Sequence, residues 1–170
     1  MNLVLVGYRG TGKSVVAQRL ARMLGRQVVS LDEEIVRLAG QRIPELVAQQ
    51  GWQHFRDLEE QICRRFGADD DQILDCGGGV VEREANVVAL REHGCVFWLK
   101  ATSATIVARI GGDANRPSLT GRSFTEEVIE VLQRRTPLYQ AMAHETIETD
   151  GRSLDDIAAE VAQRWRRSTL

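Results

Sequence analysis

The sequence predicts an α/β fold, a three-layer α/β/α arrangement whose mainly parallel sheet is covered by helices on both faces. Five short β-rich runs each precede a helical pattern, the signature of repeated βαβ units. A glycine-rich segment at 7–14 joins the first run to the first helix, and no internal repeat, Ser/Pro-rich linker or long charge run divides the 170 residues. A single domain over 1–170 is therefore expected, long enough to bury a core without disulfides or a structural metal.

In chain order, the run Leu3–Val6 leads into a helix over Val15–Leu24, where Val16, Leu20, Met23 and Leu24 recur at helical spacing and Gly25 supplies the stop. Gln27–Leu31 then precedes Glu33–Ala39, Ile73–Asp75 precedes Glu84–His93, and Cys95–Leu99 precedes Ala104–Ile110. The last pair is Thr146–Thr149 and Leu154–Arg167, with Ser153 and Asp156 in capping-box spacing and Asp in place of the usual Glu. Two segments interrupt this alternation. Residues 41–66 read as two helices broken near Gly51, inserted between the second and third strands. Residues 111–123 hold three Gly, one Pro and two Arg without periodicity, which reads as a mobile surface loop of the kind that serves as a lid.

With 22 Lys plus Arg against 24 Asp plus Glu, the net charge is −2, so there is no basic excess to bind a nucleic-acid backbone. The 43% apolar and 27% charged fractions are those of an ordinary globular chain. The longest apolar stretches, NLVLVG at the start and CVFWL at 95–99, fall short of the roughly 18 to 20 residues a membrane span needs. The start also lacks a charged leader, so a cytoplasmic protein with no membrane or nucleic-acid partner is expected. Cys63, Cys76 and Cys95 show no metal-ligand spacing and read as small core hydrophobes of a reduced compartment.

Gly7-Tyr8-Arg9-Gly10-Thr11-Gly12-Lys13-Ser14 is an intact GxxxxGK[ST] between a strand and a helix, the context this phosphate-binding motif requires. Glycines let backbone N–H groups turn inward around phosphate oxygens, the helix N-terminus adds positive potential, Lys13 neutralises β and γ phosphates and Ser14 ligates Mg²⁺. Only two of the basic residues are lysine, Lys13 and Lys100, so a lysine in this loop is unlike the Arg-rich remainder. No NKxD-type guanine-reading sequence is present, which favours a small ATP-dependent kinase over a switch GTPase. A second set of candidates is Asp32, Arg56, the run Gly77-Gly78-Gly79 and Arg135. Asp32 and the triple glycine follow strands, at the carboxyl edge where α/β ligands bind.

Together these segments resemble the shikimate kinases: GYRGTGKS at 7–14, Asp32, FRDLEE at 55–60, CGGGVV at 76–81, NRPSL at 115–119 and RRTPLY at 134–139. The resemblance covers nearly the whole chain and implies a five-stranded sheet in the order 2-3-1-4-5, with a substrate-binding helical insertion at about 33–62 and a lid at about 111–123. It implies transfer of the ATP γ-phosphoryl group to the 3-hydroxyl of shikimate, in the pathway to aromatic amino acids, by a monomer that uses Mg²⁺. Asp32 would accept the hydroxyl proton or orient that oxygen, and Arg56 and Arg135 would grip the shikimate carboxylate. Gly78 and Gly79 would contact the same substrate. Nucleotide would be held by Gly10, Thr11, Gly12, Lys13, Ser14 and Val15, with Arg109 and Arg152 near the adenine. Lys13 and Arg116 would balance charge during transfer, Arg116 from the lid as an arginine finger does.

One departure stands out. The family usually carries Asp-x-Asp at the end of the second strand, whereas this chain reads Ser30-Leu31-Asp32-Glu33-Glu34. Either Glu34 replaces the substrate-side Asp or Ser30 replaces the metal-side one; the distances from Lys13 to Asp32 and from Asp32 to Arg56 favour the second. Asp75, two residues before the triple glycine, could then hold a Mg²⁺-bound water in its place. Trp52 and Phe55 are candidates for an apolar wall beside Arg56. His54, His93 and His144 lack ligand spacing. Two rivals are a gluconate- or quinate-type kinase and a kinase-like nucleotide binder without turnover.

Overall fold

Side-chain alternation along the first strand sets the layers. In β1 (Asn2–Val6), Leu3 and Leu5 face one side and Val4 and Val6 the other, all four fully buried. A strand that is apolar on both faces must be covered on both, which is the requirement of a parallel sheet. The computed structural model describes residues 1–111, 119–121 and 123–168. In it β1 pairs with β3 (Gln72–Asp75) and β4 (Gly94–Lys100), while β2 (Gln27–Ser30) and β5 (Glu145–Glu148) form the edges. All pairings are parallel and the order is β2-β3-β1-β4-β5, as the resemblance implies.

On one face, α1 (Lys13–Leu24) and α7 (Leu154–Ser168) pack Val16, Leu20, Ile157, Val161 and Trp165 onto Leu3, Leu5 and Phe97. On the other lie α2 (Leu31–Ala39), α3 (Ile43–Gly67) and α4 (Glu84–Glu92), whose apolar stripes meet Val4, Val6 and Val96. α5 (Ser103–Ile110) closes a smaller cluster with Tyr8. The terminal signals act as expected. Gly25 takes the left-handed conformation at φ 66° and its N–H donates to Ala21 O, and the Asp156 N–H donates to Ser153 Oγ at 3.1 Å. Gly51 breaks α3 with φ 81° and ψ 168°. Cys63, Cys76 and Cys95 are all buried and free. Among the described residues, no helix is long and apolar enough to cross a membrane.

Two local differences from the sequence reading have physical causes. α2 begins at Leu31 rather than Glu33, because the Ser30 hydroxyl caps it by accepting the Glu33 N–H at 3.4 Å; Asp32 therefore sits in the first helical turn. The larger difference is α6 (Phe124–Met142), a helix that the five-unit reading does not contain. Its buried stripe, Val128, Val131, Arg135, Tyr139 and Met142, has helical spacing but includes an arginine, and Pro137 lies inside it. Both features erase the apolar periodicity by which a helix is read.

The edge of β4 carries a pH-dependent link. The Val96 N–H donates to His144 Nδ1 at 2.9 Å, and the His144 N–H returns a bond to Val96 O. Burial, followed by the nearby Arg91, lowers the His144 pKa, and protonating Nδ1 would also remove the acceptor. Because the folded value lies below the unfolded one, stability is present above the unfolded pKa of about 6.5 and is lost as pH falls through the folded value. Denaturant midpoints measured from pH 8 to 5 should decline on the acid side of that window. His144→Gln should flatten the decline; an unchanged slope would refute this role.

Candidate active site

The phosphate loop is shaped by backbone that only glycine adopts readily. Gly10 and Gly12 have φ of 79° and 91°, and a Cβ on Gly12 would approach Leu154 Cδ2 to 2.6 Å. Lys13 is buried and donates from Nζ to Gly7 O at 2.8 Å and Tyr8 O at 3.0 Å, which holds it under the loop. The Ser14 hydroxyl donates to Asp75 Oδ2 at 2.6 Å. A cavity lined by Gly10, Gly12, Lys13, Ser14, Val15, Ser30, Asp32, Asp75, Gly77 and Gly78 opens here at the carboxyl edge of the sheet. Ser30 and Asp32 line it, whereas Glu34 is paired with Arg37 along α2. Thr11 is buried beneath the loop, donating to Tyr8 O at 2.9 Å.

A second cavity abuts the first, sharing Arg9 and Gly78 with it, and is lined by Tyr8, Trp52, Arg56, Gly79, Leu119, Glu127 and Arg135. Arg56 and Arg135 thus converge from α3 and α6, elements about 80 residues apart in the chain. Each guanidinium is held by a carboxylate: Arg56 by Glu59 at 2.8 Å and Arg135 by Glu82 at 2.6 Å. Burial works against the charge of Arg135, but Tyr139, Glu82 and Tyr8 outweigh it and raise its pKa. Burial likewise pushes the Glu82 carboxyl up, and Arg134 and Arg135 prevail to bring it below the usual range. The Tyr139 hydroxyl donates to Gly78 O and pins the triple glycine; burial raises its pKa.

Trp52 lines this second cavity with Arg56 at 5.6 Å over its ring, while Phe55 is fully buried behind it in an edge-to-face contact. Arg109 donates to Gly10 O at 3.2 Å, beside the phosphate loop. Arg152 donates to Glu148 O and pairs with Glu160, lining a separate surface groove. Arg116 and most of the 111–123 segment lie outside the described residues.

Sequence reasoning missed Tyr8, Arg9, Glu82 and Glu127. Glu127 is buried, accepts the Leu119 N–H at 3.0 Å and lies 4.0 Å from Arg9, with no motif to mark it. Arg9 lies within the phosphate motif, yet it lines the second cavity as well as the first and stands 5.8 Å over the Phe124 ring. Its position in the loop was legible; its direction was not.

A parallel sheet in this order, with a phosphate loop after the central strand and a cationic pocket beside it, defines the P-loop kinases of small molecules. The shikimate kinase family model matches residues 9–166. The chain is 35% identical over 166 residues to the shikimate kinase of Thermodesulfovibrio yellowstonii, covering 98% of this chain and 95% of that one. It is 40% identical over 164 residues to the shikimate kinase of Rhodopirellula baltica, covering 94% and 88%. The structure of shikimate kinase from Acinetobacter baumannii in complex with shikimate superposes with a TM-score of 0.94 at 32% identity, covering 99% of this chain and 94% of that one. The chain belongs to the shikimate kinase family.

Proposed function

We propose that this chain transfers the γ-phosphoryl group of ATP to the 3-hydroxyl of shikimate, giving shikimate 3-phosphate and ADP. The observation that carries this reading is the convergence of Arg56 and Arg135 on a cavity that meets the phosphate loop at Gly78. A carboxylate suits two guanidinium forks. An acceptor anchored there presents its hydroxyl toward the loop, where Asp32 is within the adjoining cavity to accept the proton. Gly10, Gly12, Lys13, Ser14 and Val15 hold the phosphates with Thr11 supporting the loop from below, and Arg109 lies beside it. The resemblance also gives nucleotide-side roles to Arg152, which here lines a separate groove, and to Arg116, which lies outside the described residues.

The donor set suits Mg²⁺: the Ser14 hydroxyl and a carboxylate are hard oxygen ligands that a hydrated ion uses beside phosphates. When bound, the ion neutralises charge on the β and γ phosphates. The protein's own part is positioning and electrostatics, with Lys13 at the loop and Asp32 at the hydroxyl.

The decisive experiment is ADP release by purified protein given ATP and Mg²⁺ with shikimate, quinate or gluconate. Release with shikimate alone is expected; release with another acceptor in preference to shikimate would overturn the assignment. The glycine run offers a sharper check. A Cβ on Gly79 would stand 2.2 Å from Arg56 Nη2, the movable end of a long side chain, so Gly79→Ala should leave the fold intact and displace the anchor. Loss of one hydrogen bond to a charged group, about 1.5–3 kcal/mol, predicts a shikimate KM raised about 10- to 100-fold. An unchanged KM would mean that Arg56 does not grip the acceptor.

A further inference from the structure

We propose that Asp75, at the end of β3, is the carboxylate that holds the hydrated divalent cation in this chain, a duty moved by one strand from position 30 on β2. The inference deepens the kinase reading and rests on it for a metal–nucleotide in the loop.

The first support is the 2.6 Å bond that Ser14 Oγ donates to Asp75 Oδ2. A serine hydroxyl that coordinates a cation through a lone pair keeps a proton to donate, and Asp75 is the group that accepts it. An acceptor in this position both orients the ligand and places a second carboxylate oxygen to receive metal-bound water. The second support is register. Ser30 lies opposite Asp75 in the parallel β2–β3 pair, so their side chains leave the same face of the sheet, about 4.8 Å apart by strand spacing. Both residues line the cavity that contains Lys13 and Ser14. Ser30 is committed to the α2 cap through the Glu33 N–H.

Charge supplies the third support. Asp75 is 7% exposed and accepts the Ser14 hydroxyl in the cavity that also holds Lys13 and Asp32. Two carboxylates, Asp75 and Asp32, thus line one cavity with a lysine that donates to the Gly7 and Tyr8 carbonyls, and with Arg9. A buried carboxylate needs a compensating cation or several hydrogen bonds, and a divalent ion on Ser14 and Asp75 meets that need.

The test measures binding of a non-hydrolysable ATP analogue by calorimetry across a Mg²⁺ series and in EDTA, without shikimate. A parallel titration follows Mn²⁺ by electron paramagnetic resonance. Asp75→Asn should move the Mg²⁺ midpoint and the Mn²⁺ affinity about 10- to 100-fold, the usual cost of losing an outer-sphere partner, with analogue binding in EDTA unchanged. The double variant Ser30→Asp, Asp75→Asn should recover much of the metal affinity, since Asp caps a helix as well as Ser does. An unchanged midpoint in Asp75→Asn, or an equal loss of binding in EDTA, overturns the metal role. A double variant no better than Asp75→Asn overturns the relocation. If the wild-type chain binds Mg²⁺ and analogue in this way yet phosphorylates no acceptor, the kinase reading fails and the metal assignment stands.

Discussion

Asp32→Asn is expected to lower shikimate-dependent ADP release about 10²- to 10⁴-fold, the range that a positioned proton acceptor contributes, while ATP-analogue binding stays near wild type. The substitution keeps the shape of the side chain and removes its capacity to take a proton. It should also leave the fold intact, because the α2 cap is Ser30 rather than Asp32. The residue stands in the first turn of α2, where the positive end of the helix dipole stabilises negative charge, and it lines the cavity with Lys13, Ser14 and Gly78. Steady-state kinetics would show the loss mainly in kcat. A rise confined to KM would instead make Asp32 a binding group, and unchanged kinetics would remove it from the mechanism.

The second large effect concerns Arg56, and two variants separate anchoring from folding. Arg56→Lys keeps a cation against Glu59 but loses the planar fork, so shikimate KM should rise about 10- to 100-fold with little change in melting temperature. Arg56→Ala should do more. Glu59 is nearly fully buried beside Arg56, and removing one partner of a buried pair typically costs about 3–5 kcal/mol. The alanine variant also strips packing from the Trp52 and Phe55 rings, which lie 5.6 and 5.1 Å from the guanidinium carbon. Thermal unfolding followed alongside kinetics distinguishes the two effects. An alanine variant as stable as wild type would show that the Arg56–Glu59 pair carries no net stability.

The five β-then-α units and the phosphate loop were legible because each depends on local patterns. Two-residue alternation, helical spacing and glycine before lysine are all written within a few positions of one another. The breaks and stops were local as well: Gly25 ends α1, Gly51 divides α3 and Ser153 caps α7. α6 escaped the same reading because its inward stripe carries Arg135, whose burial makes sense only once Glu82 and Tyr139 stand against it. Family resemblance could flag RRTPLY as important; the helix that aims Arg135 into a cavity was not written in its periodicity.

The sequence by itself determined the fold class, the phosphate loop and the candidates Asp32, Arg56 and Arg135. Its resemblance to the family marked Ser30 as a departure from the usual acid. Only the tertiary structure decided that Arg9 lines the second cavity as well as the first, that Glu127 holds the 119–120 segment, and that Asp75 lies opposite Ser30 and accepts a hydrogen bond from the Ser14 hydroxyl. The physical reason is distance along the chain. Ser30 and Asp75 are joined by a strand register rather than a motif, and a register is set by the packing of the whole sheet, which local spacing does not encode.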